Sequence, residues 1–140
     1  MNVLVDTCVW SLAFRRRAAA PHAVVRELAE LIDEGRAQLI GPVRQELLSG
    51  VPRPEQFRLL RDRLRAFPDL PIAMEDYELA AEYFTKARTG GLQGSNTDFL
   101  ICALAVRHTL PILTTDRDFE RFARVLPIQL HLPRAAARER

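Results

Sequence analysis

The sequence predicts a single α/β domain whose mainly parallel sheet is covered by helices on both faces. Short, wholly apolar segments alternate along the chain with longer segments of helical periodicity. Apolar runs without in–out alternation are typical of parallel strands that are buried on both faces. The 140 residues, 48% of them hydrophobic, match one core. We place the domain at residues 1–132 and expect a loose tail over residues 133–140.

The first half of the chain is predicted to begin with a buried strand that ends at Asp6. Glycines after a periodic segment, such as Gly35 and Gly50, are common helix ends, and Pro42 is a residue favoured in the first turn of a helix. In chain order, the predicted elements are a strand at 2–6, a helix through 10–14, a helix at 22–35, a strand at 37–41, and helices at 42–50 and 54–67.

The second half continues the alternation. Residues 98–108 are strongly apolar and predict a buried helix, and the glycine-rich stretch 89–95 predicts a loop before it. Helical spacing favours core packing for Tyr83 and Phe84. In chain order, the predicted elements are a strand at 70–73, helices at 75–88 and 97–108, a strand at 110–114, a helix at 116–123 and a strand at 125–130.

Several protein classes are excluded by simple features of the sequence. Apolar stretches such as Leu100 to Val106 are far shorter than the roughly 20 residues of a membrane span. The first residues lack the basic and apolar regions of a secretion signal, so we expect a cytoplasmic protein. Cys8 and Cys102 form no CxxC pair, and in a reducing compartment both are expected to be buried thiols.

Acidic residues follow the predicted strands. Asp6 ends the first strand, Glu46 lies one helical turn beyond Pro42, and Asp98 opens the apolar helix. Asp116 and Asp118 follow the strand at 110–114. Ligands of open parallel sheets bind beyond the carboxyl ends of the strands, so these acids are expected to lie together. Each aspartate beside a helix also has a simpler explanation, because carboxylates cap helix N-termini.

Clustered carboxylates imply a cation. Four or five of them within a few ångströms repel one another and raise their pKa values unless a positive ion lies between them. Oxygen ligands select Mg²⁺ or Mn²⁺ over zinc. Such ions suit phosphoryl chemistry because they activate water and bind the phosphate. The leading prediction is therefore a nuclease.

The positive charge is almost entirely arginine, since Lys86 is the only lysine. The formal net charge is +2, and seven positive charges remain in excess once the five candidate acids are set aside. That excess suits a polyanion such as RNA, although an arginine bias also arises from genome base composition. Arg15, Arg16 and Arg17 are the candidate RNA contacts, with a solvated loop as the alternative.

Four segments resemble the acidic motifs of PIN-domain ribonucleases. They are Val5-Asp6-Thr7, Glu46-Leu47-Leu48-Ser49-Gly50, the stretch from Thr97 to Ala103, and the stretch from Leu113 to Phe119. Their order, their spacing and the chain length match the VapC toxins of bacterial toxin–antitoxin pairs. The resemblance covers nearly the whole chain and implies a PIN-like three-layer α/β/α sandwich.

The resemblance implies a metal-dependent endoribonuclease, the toxin of a type II toxin–antitoxin system. Such an enzyme is expected to cleave RNA with a hydroxide on carboxylate-bound Mg²⁺ or Mn²⁺, to form a homodimer, and to be held inactive by a cognate antitoxin. By similarity, the catalytic residues, which also surround the metal, are Asp6, Glu46, Asp98 and Asp116. Asp118 is a further metal-ligand candidate, and Thr7 and Thr114 supply hydroxyls nearby.

Other interpretations remain open from the residues alone. A receiver-like or phosphatase-like phosphotransfer domain also places acids at strand ends, but Asp6-Thr7-Cys8 is not a DxD motif and Lys86 lies in mid-helix. A binding module for RNA or protein that keeps the fold without the chemistry is a second alternative. A zinc site is a third, since Cys102 follows Asp98 by one helical turn, but the thiols and histidines lack zinc spacing.

Overall fold

The computed structural model describes residues 1–15 and 22–134 of the chain. Seven helices and three strands alternate over these residues. In chain order they are β1 (Val3–Val5), α1 (Thr7–Arg15), α2 (Ala23–Asp33), β2 (Ala37–Gln38), α3 (Gly41–Ser49), α4 (Pro54–Leu64), α5 (Met74–Thr89), α6 (Asn96–Arg107), β3 (Ile112–Leu113) and α7 (Asp118–Phe122). The predicted α/β class is confirmed.

The sheet is parallel, with β1 at its centre and the strand order β2-β1-β3. Val3 pairs with Ala37 on one side of β1, and Val5 pairs with Leu113 on the other. Every residue of β1 is fully buried, which explains its unbroken apolar sequence. The carboxyl ends of all three strands therefore point toward one edge of the molecule.

Two predicted strands, at 70–73 and 125–130, are wrong. Each is reduced to a single parallel bridge at the margin of the sheet, from Asp69 to Leu39 and from Leu130 to Ile112. Pro71 and Pro127 lie in these segments, and proline has no N–H with which to extend a strand ladder. The two segments still lie alongside the sheet without forming strands.

Helix α6 is the most buried helix in the described part of the chain. Its residues from Phe99 to Ala105 are all buried, and it packs against α5 and β3. In the first half of the chain, α1 packs against α2 and α3. Tyr83 is buried as predicted, and Phe84 packs edge-on against Phe99 at a centroid distance of 5.4 Å. The helical layers thus enclose the short sheet.

Trp10 anchors α1 against the sheet. The side chain is fully buried, and its indole Nε1 donates a hydrogen bond of 3.2 Å to the carbonyl oxygen of Val5. Its ring stacks with Phe14 and meets the edge of Phe67 at a centroid distance of 5.0 Å. Because β1 and α1 are joined directly at Asp6, this packing fixes where the Asp6 side chain lies.

The segment after the last bridge is tied to α2. Arg134 donates hydrogen bonds from its backbone N and from Nε to the Glu27 carboxylate, whose side chain is 1% exposed. Arg134 also pairs with Glu34 at 2.8 Å. Position 134 falls in the predicted tail and is nevertheless held, while residues 135–140 lie outside the described residues. The domain boundary at residue 132 stays a prediction.

No helix among the described residues is both long enough and apolar enough to cross a membrane.

Candidate active site

The candidate acids are positioned by the carboxyl ends of the parallel strands. Asp6 follows β1 directly, and its backbone N donates to the carbonyl oxygen of Leu113 at 3.0 Å. Thr114, the residue after β3, donates from its hydroxyl to Asp6 Oδ2 at 2.8 Å. Two adjacent strands therefore deliver an aspartate and a threonine to the same point.

Asp6 is a buried carboxylate, with 5% of the residue exposed. Its Oδ1 accepts a hydrogen bond of 2.7 Å from the backbone N of Thr7, the first residue of α1. Burial raises the pKa of Asp6, and the negative charge of Asp98 raises it further, against the lowering effect of its hydrogen bonds. Asp6 and Asp98 therefore lie close enough for the charge of Asp98 to affect the pKa of Asp6.

Glu46 joins the cluster through Thr7. The Thr7 hydroxyl donates a hydrogen bond of 2.7 Å to Glu46 Oε1, across 39 residues of sequence. This bond connects the start of α1 with α3, the helix that follows β2. The side chain of Glu46 is thus brought from the neighbouring strand–helix unit toward the Asp6 edge.

Asp98 lies in the first turn of α6. Its Oδ2 accepts from the backbone N of Ser95 at 2.9 Å, and Ser95 Oγ accepts in turn from the backbone N of Asp98 at 3.1 Å. This is a capping box. Burial raises the pKa of Asp98, and the charges of Asp116 and Glu46 raise it further. The capping role and the proximity to other acids therefore coexist.

Asp116 lies in the turn before α7, and Asp118 is the first residue of that helix. Thr114 Oγ1 accepts from the backbone N of Asp116 at 3.0 Å, and Asp116 Oδ1 accepts from the backbone N of Asp118 at 2.9 Å. The Asp118 carboxylate instead pairs with Arg121 at 2.7 Å. Asp118 differs from the other candidates because its carboxylate already forms an ion pair with a guanidinium.

Cys8 is a further polar contact of the cluster, which corrects the expectation that both thiols are buried hydrophobes. Its Sγ lies 3.4 Å from Asp6 Oδ2 and accepts from the Thr115 hydroxyl at 3.2 Å. The expectation holds for Cys102, which is fully buried. Burial together with the charges of Asp98 and Asp6 raises the pKa of the Cys102 thiol, so this thiol stays protonated.

Three residues that contact the candidate acids were not predicted from the sequence. Ser95 could have been found, because Ser-x-x-Asp before an apolar run is the signature of a capping box. Thr115 and Arg121 carried no comparable signal, since their contacts depend on the turn around Asp116. Of the three predicted RNA contacts, Arg16 and Arg17 and the side chain of Arg15 lie outside the described residues.

The donor chemistry of the cluster fits a hard divalent cation, although the side chains do not form a closed cage. Within residues 1–15 and 22–134, no three His, Cys, Asp or Glu side chains are arranged to hold one ion directly. The nearby acids supply oxygen atoms only, and burial together with the charges of neighbouring acids raises the pKa values of Asp6 and Asp98. A cation among these carboxylates would offset those charges.

Helix capping accounts for part of this arrangement but not for all of it. Asp6 and Asp98 each accept backbone N–H groups at a helix start, as the simpler explanation predicts. Capping alone does not require that the charge of Asp98 raises the pKa of Asp6, or that the charges of Asp116 and Glu46 raise the pKa of Asp98. Perturbed carboxylates that meet at one edge are typical of functional sites.

The sequence matches the model of the PIN domain family over residues 3–125. Ribonuclease VapC11 of Mycobacterium tuberculosis is 30% identical over 129 residues, which cover 91% of this chain and 96% of that protein. This chain is therefore comparable in length with that relative.

Solved structures give the same fold. The structure of FitAcB from Neisseria gonorrhoeae aligns with a TM-score of 0.73 and 26% identity, covering 94% of this chain and 97% of that chain. A toxin–antitoxin complex from Klebsiella pneumoniae aligns with a TM-score of 0.64 and 20% identity, covering 84% of this chain and 90% of that chain.

Proposed function

The chain belongs to the PIN-domain family, and from that premise we propose that it is a metal-dependent endoribonuclease, the toxin of a type II toxin–antitoxin pair. The observation that carries the proposal is the meeting of Asp6, Glu46, Asp98 and Asp116 at one edge of the sheet, with the pKa values of Asp6 and Asp98 raised. A ribonuclease at 30% identity over most of the chain supports the substrate class.

The proposed cofactor is Mg²⁺ or Mn²⁺, held by Asp6, Glu46, Asp98 and Asp116. When bound, such an ion activates water for attack on a phosphodiester and neutralises charge on the phosphate and the leaving oxygen. Asp118 is a further candidate metal ligand, but its carboxylate must first break its ion pair with Arg121 before it can bind an ion.

The residues around the acids hold them in place. Thr114 donates to Asp6 and accepts from the backbone N of Asp116, so that one hydroxyl orients residues from two strand ends. The Thr7 hydroxyl donates to Glu46 and so orients that carboxylate. Asp98 is held in the same way, because its Oδ2 accepts from the backbone N of Ser95 at the start of α6.

The proposed protein partner is a cognate antitoxin. A groove of about 550 Å³ lies between α1, α3 and α4 and is lined largely by apolar side chains, among them Phe14, Leu47 and Leu59. Leu59 is 64% exposed, so the groove presents apolar surface to the solvent, as binding sites for protein partners do. One structure of the same fold is a toxin–antitoxin complex, which supports this assignment.

We also propose a homodimer that works in the cytoplasm. Met74 and Tyr77 expose apolar surface on α5, with 71% and 56% of each residue accessible. A second copy of the chain is the partner proposed for that face. Light scattering of the purified protein tests the dimer, and a Tyr77→Arg variant that stays dimeric would remove α5 from the interface.

One observation favours a second candidate function, a binding module for RNA or protein without cleavage. In the described residues, no three acids are arranged to hold an ion directly. RNA binding that depends on metal but produces no cuts would select this alternative.

The deciding experiment is a cleavage assay with purified protein freed of any partner. Labelled fragments of transfer and ribosomal RNA are incubated with Mg²⁺ or Mn²⁺, with an EDTA control and with Asp98→Asn. Asp62→Asn, a change at an exposed acid of α4, serves as the matched control. We expect discrete cuts from wild type and Asp62→Asn only, and none with EDTA. Full activity of Asp98→Asn would contradict the proposed site.

A further inference from the structure

We propose that the loop between α5 and α6, residues 90–95, forms with α7 a subsite for one nucleotide of the RNA beside the cleaved bond, and that Gln93 reads its base. The proposal rests on the nuclease function above and adds to it a residue that determines specificity.

The subsite is a recess of about 320 Å³ next to the candidate acids. The loop contributes Gly91, Leu92 and Gln93, and the turn and helix opposite contribute Asp118, Arg121 and Phe122. Asp118 is bonded through its backbone N to the Asp116 carboxylate at 2.9 Å. A base seated in this recess therefore lies beside the acid edge.

The loop has a fixed shape. Gly91 has φ of +79°, a left-handed conformation that favours glycine. The backbone N of Leu92 donates to the carbonyl oxygen of Ala87 at 2.8 Å, which ties the loop to the end of α5. The recess is therefore preformed, and its occupant need not order the loop.

The loop also touches the candidate acids at its other end. A Cβ on Gly94 would lie 2.8 Å from the Phe122 ring and 3.2 Å from Asp98 Oδ2. The Gly94 backbone thus fills the space between α7 and Asp98. Ser95, the next residue, forms the capping box with Asp98. Loop, recess and acid edge form one continuous surface.

Gln93 offers the chemistry that base recognition needs. It is exposed, and within the described residues its side-chain amide makes no hydrogen bond. An amide presents a donor and an acceptor side by side, which matches the edge of an unpaired base. Gln93 also lines a neighbouring recess of about 220 Å³ together with Arg88.

Arg88 supplies a contact for the phosphate backbone. It is exposed at the end of α5 and forms no ion pair with any residue that the structure describes. Arginine binds phosphate oxygens through its planar guanidinium. The first recess, between Gln93 and Asp118, is lined mainly by charged and polar groups, unlike the apolar groove assigned to the antitoxin, so RNA is the occupant that its chemistry favours.

The first test measures base preference. A pool of single-stranded RNA oligonucleotides with randomised sequence is cut by each of three proteins, and the products are sequenced. The proteins are the wild type, Gln93→Ala and a control, Gln129→Ala, which changes another exposed glutamine. We expect Gln93→Ala to lose about tenfold of the preference at one position beside the cut, the discrimination that one base contact supplies. Gln129→Ala should keep the wild-type profile. An unchanged profile in Gln93→Ala overturns the proposal.

A second test is independent of cleavage. Fluorescence anisotropy in the Asp98→Asn background measures binding of oligouridylate, oligoadenylate and oligocytidylate, with and without Arg88→Ala or the control Arg58→Ala. Arg88→Ala should reduce the slope of log affinity against log salt by about 0.7, the loss of one phosphate contact on a single strand. Gln93→Ala should reduce the largest affinity ratio among the three oligonucleotides.

The outcomes separate the two proposals. Absence of cleavage by wild type contradicts the nuclease, while the binding ratios still decide the subsite. Unchanged slopes and ratios overturn the subsite even if cleavage is normal. If the variants still cleave and bind RNA but no longer bind a co-expressed antitoxin, the recess is part of the antitoxin interface and the proposal is wrong.

Discussion

At the scale of single residues, the Asp6 carboxylate depends on its neighbours. It is buried, and it accepts hydrogen bonds from Thr7, Cys8 and Thr114. Burial disfavours the charged form while the hydrogen bonds favour it. Among these hydrogen bonds, the one from the Thr114 hydroxyl lowers the pKa of Asp6 the most. The same hydroxyl also accepts from the backbone N of Asp116.

Thr114→Val should therefore reduce cleavage and metal affinity by about 10- to 100-fold, as is usual for groups that orient metal ligands. The change keeps the shape of the side chain and replaces its hydroxyl with a methyl group, which cannot form hydrogen bonds. Titration of Mn²⁺ by calorimetry and the rate of RNA cleavage measure the effect. Thr85→Val, at an exposed hydroxyl that bonds to the Ala81 carbonyl of its own helix, is the control. Equal rates for both variants would remove Thr114 from the site.

Asp76 is a buried carboxylate outside the candidate site. Burial raises its pKa, but the hydrogen bond from the Ala73 backbone N and the Arg107 guanidinium outweigh burial and hold the pKa below its usual value, with His108 adding to the lowering. A folded-state pKa below the unfolded value of about 3.9 contributes stability above that pH, which is lost as pH falls.

Asp76→Asn should thus lower the free energy of unfolding at pH 7 by about 1–3 kcal/mol. The difference from wild type should shrink as pH falls from about 5 toward 3, because the unfolded wild-type chain then takes up a proton that the folded carboxylate resists. Urea unfolding at several pH values measures it, with the exposed Asp62→Asn as control. A difference that is constant across this range would mean that the carboxylate charge is not the source.

At the scale of elements, the loop from α5 to α6 connects the core to the acid edge. Gly94 passes so close to the rings of Phe122 and Phe99 that a side chain has no room. Both rings are buried, so they cannot move aside without disturbing the core. The sequence predicts a loop here from its glycines, but the close approach depends on the packing of α6 and α7.

Gly94→Ala should lower the free energy of unfolding by about 1–3 kcal/mol through overpacking. It should also reduce cleavage, because the loop that carries Ser95 shifts away from Asp98. Gly41→Ala is the matched control, since its new methyl group meets only Asp69 Oδ2 at 3.7 Å, an ordinary contact. Chemical unfolding of both variants decides; equal stability would mean that the loop yields easily.

At the scale of the whole molecule, Arg134 links the last described segment to α2. Glu27 is buried, and its carboxylate accepts from Arg134 and from His131 Nε2 across more than a hundred residues of sequence. Burial raises the pKa of Glu27, but these partners hold it below its usual value. Arg134 and Arg36 together lower the pKa of the exposed Glu34 to about 2.

Arg134→Ala should lower the free energy of unfolding more than a change at a surface arginine does, because it leaves a buried carboxylate without its main partner. Thermal and urea unfolding measure the loss, and the exposed Arg58→Ala is the control. The Arg134→Ala, Glu27→Gln double variant should recover part of the loss, since the uncompensated charge is then gone. No recovery would show that Arg134 stabilises the fold through other contacts, such as its ion pair with Glu34 or the packing of its side chain.

The sequence by itself determined the order of the main elements, the acids that follow the strands and the family. Helical periodicity and glycine or proline at helix ends are local signals, and they located α2, α3 and α6 to within a few residues. The same signals failed at 70–73 and 125–130, where Pro71 and Pro127 left single bridges in place of strands. Candidate site residues were found because each lies next to a local pattern.

Only the tertiary structure decided how these residues act on one another. The hydrogen bond of Thr7 to Glu46 and that of Thr114 to Asp6 join residues 39 and 108 positions apart. The pairing of Asp118 with Arg121, the polar role of Cys8 and the recess beside Gln93 likewise depend on how turns and helices pack. Local patterns record the conformation of neighbours in sequence, whereas burial and charge interaction are set by groups that meet only when the chain folds.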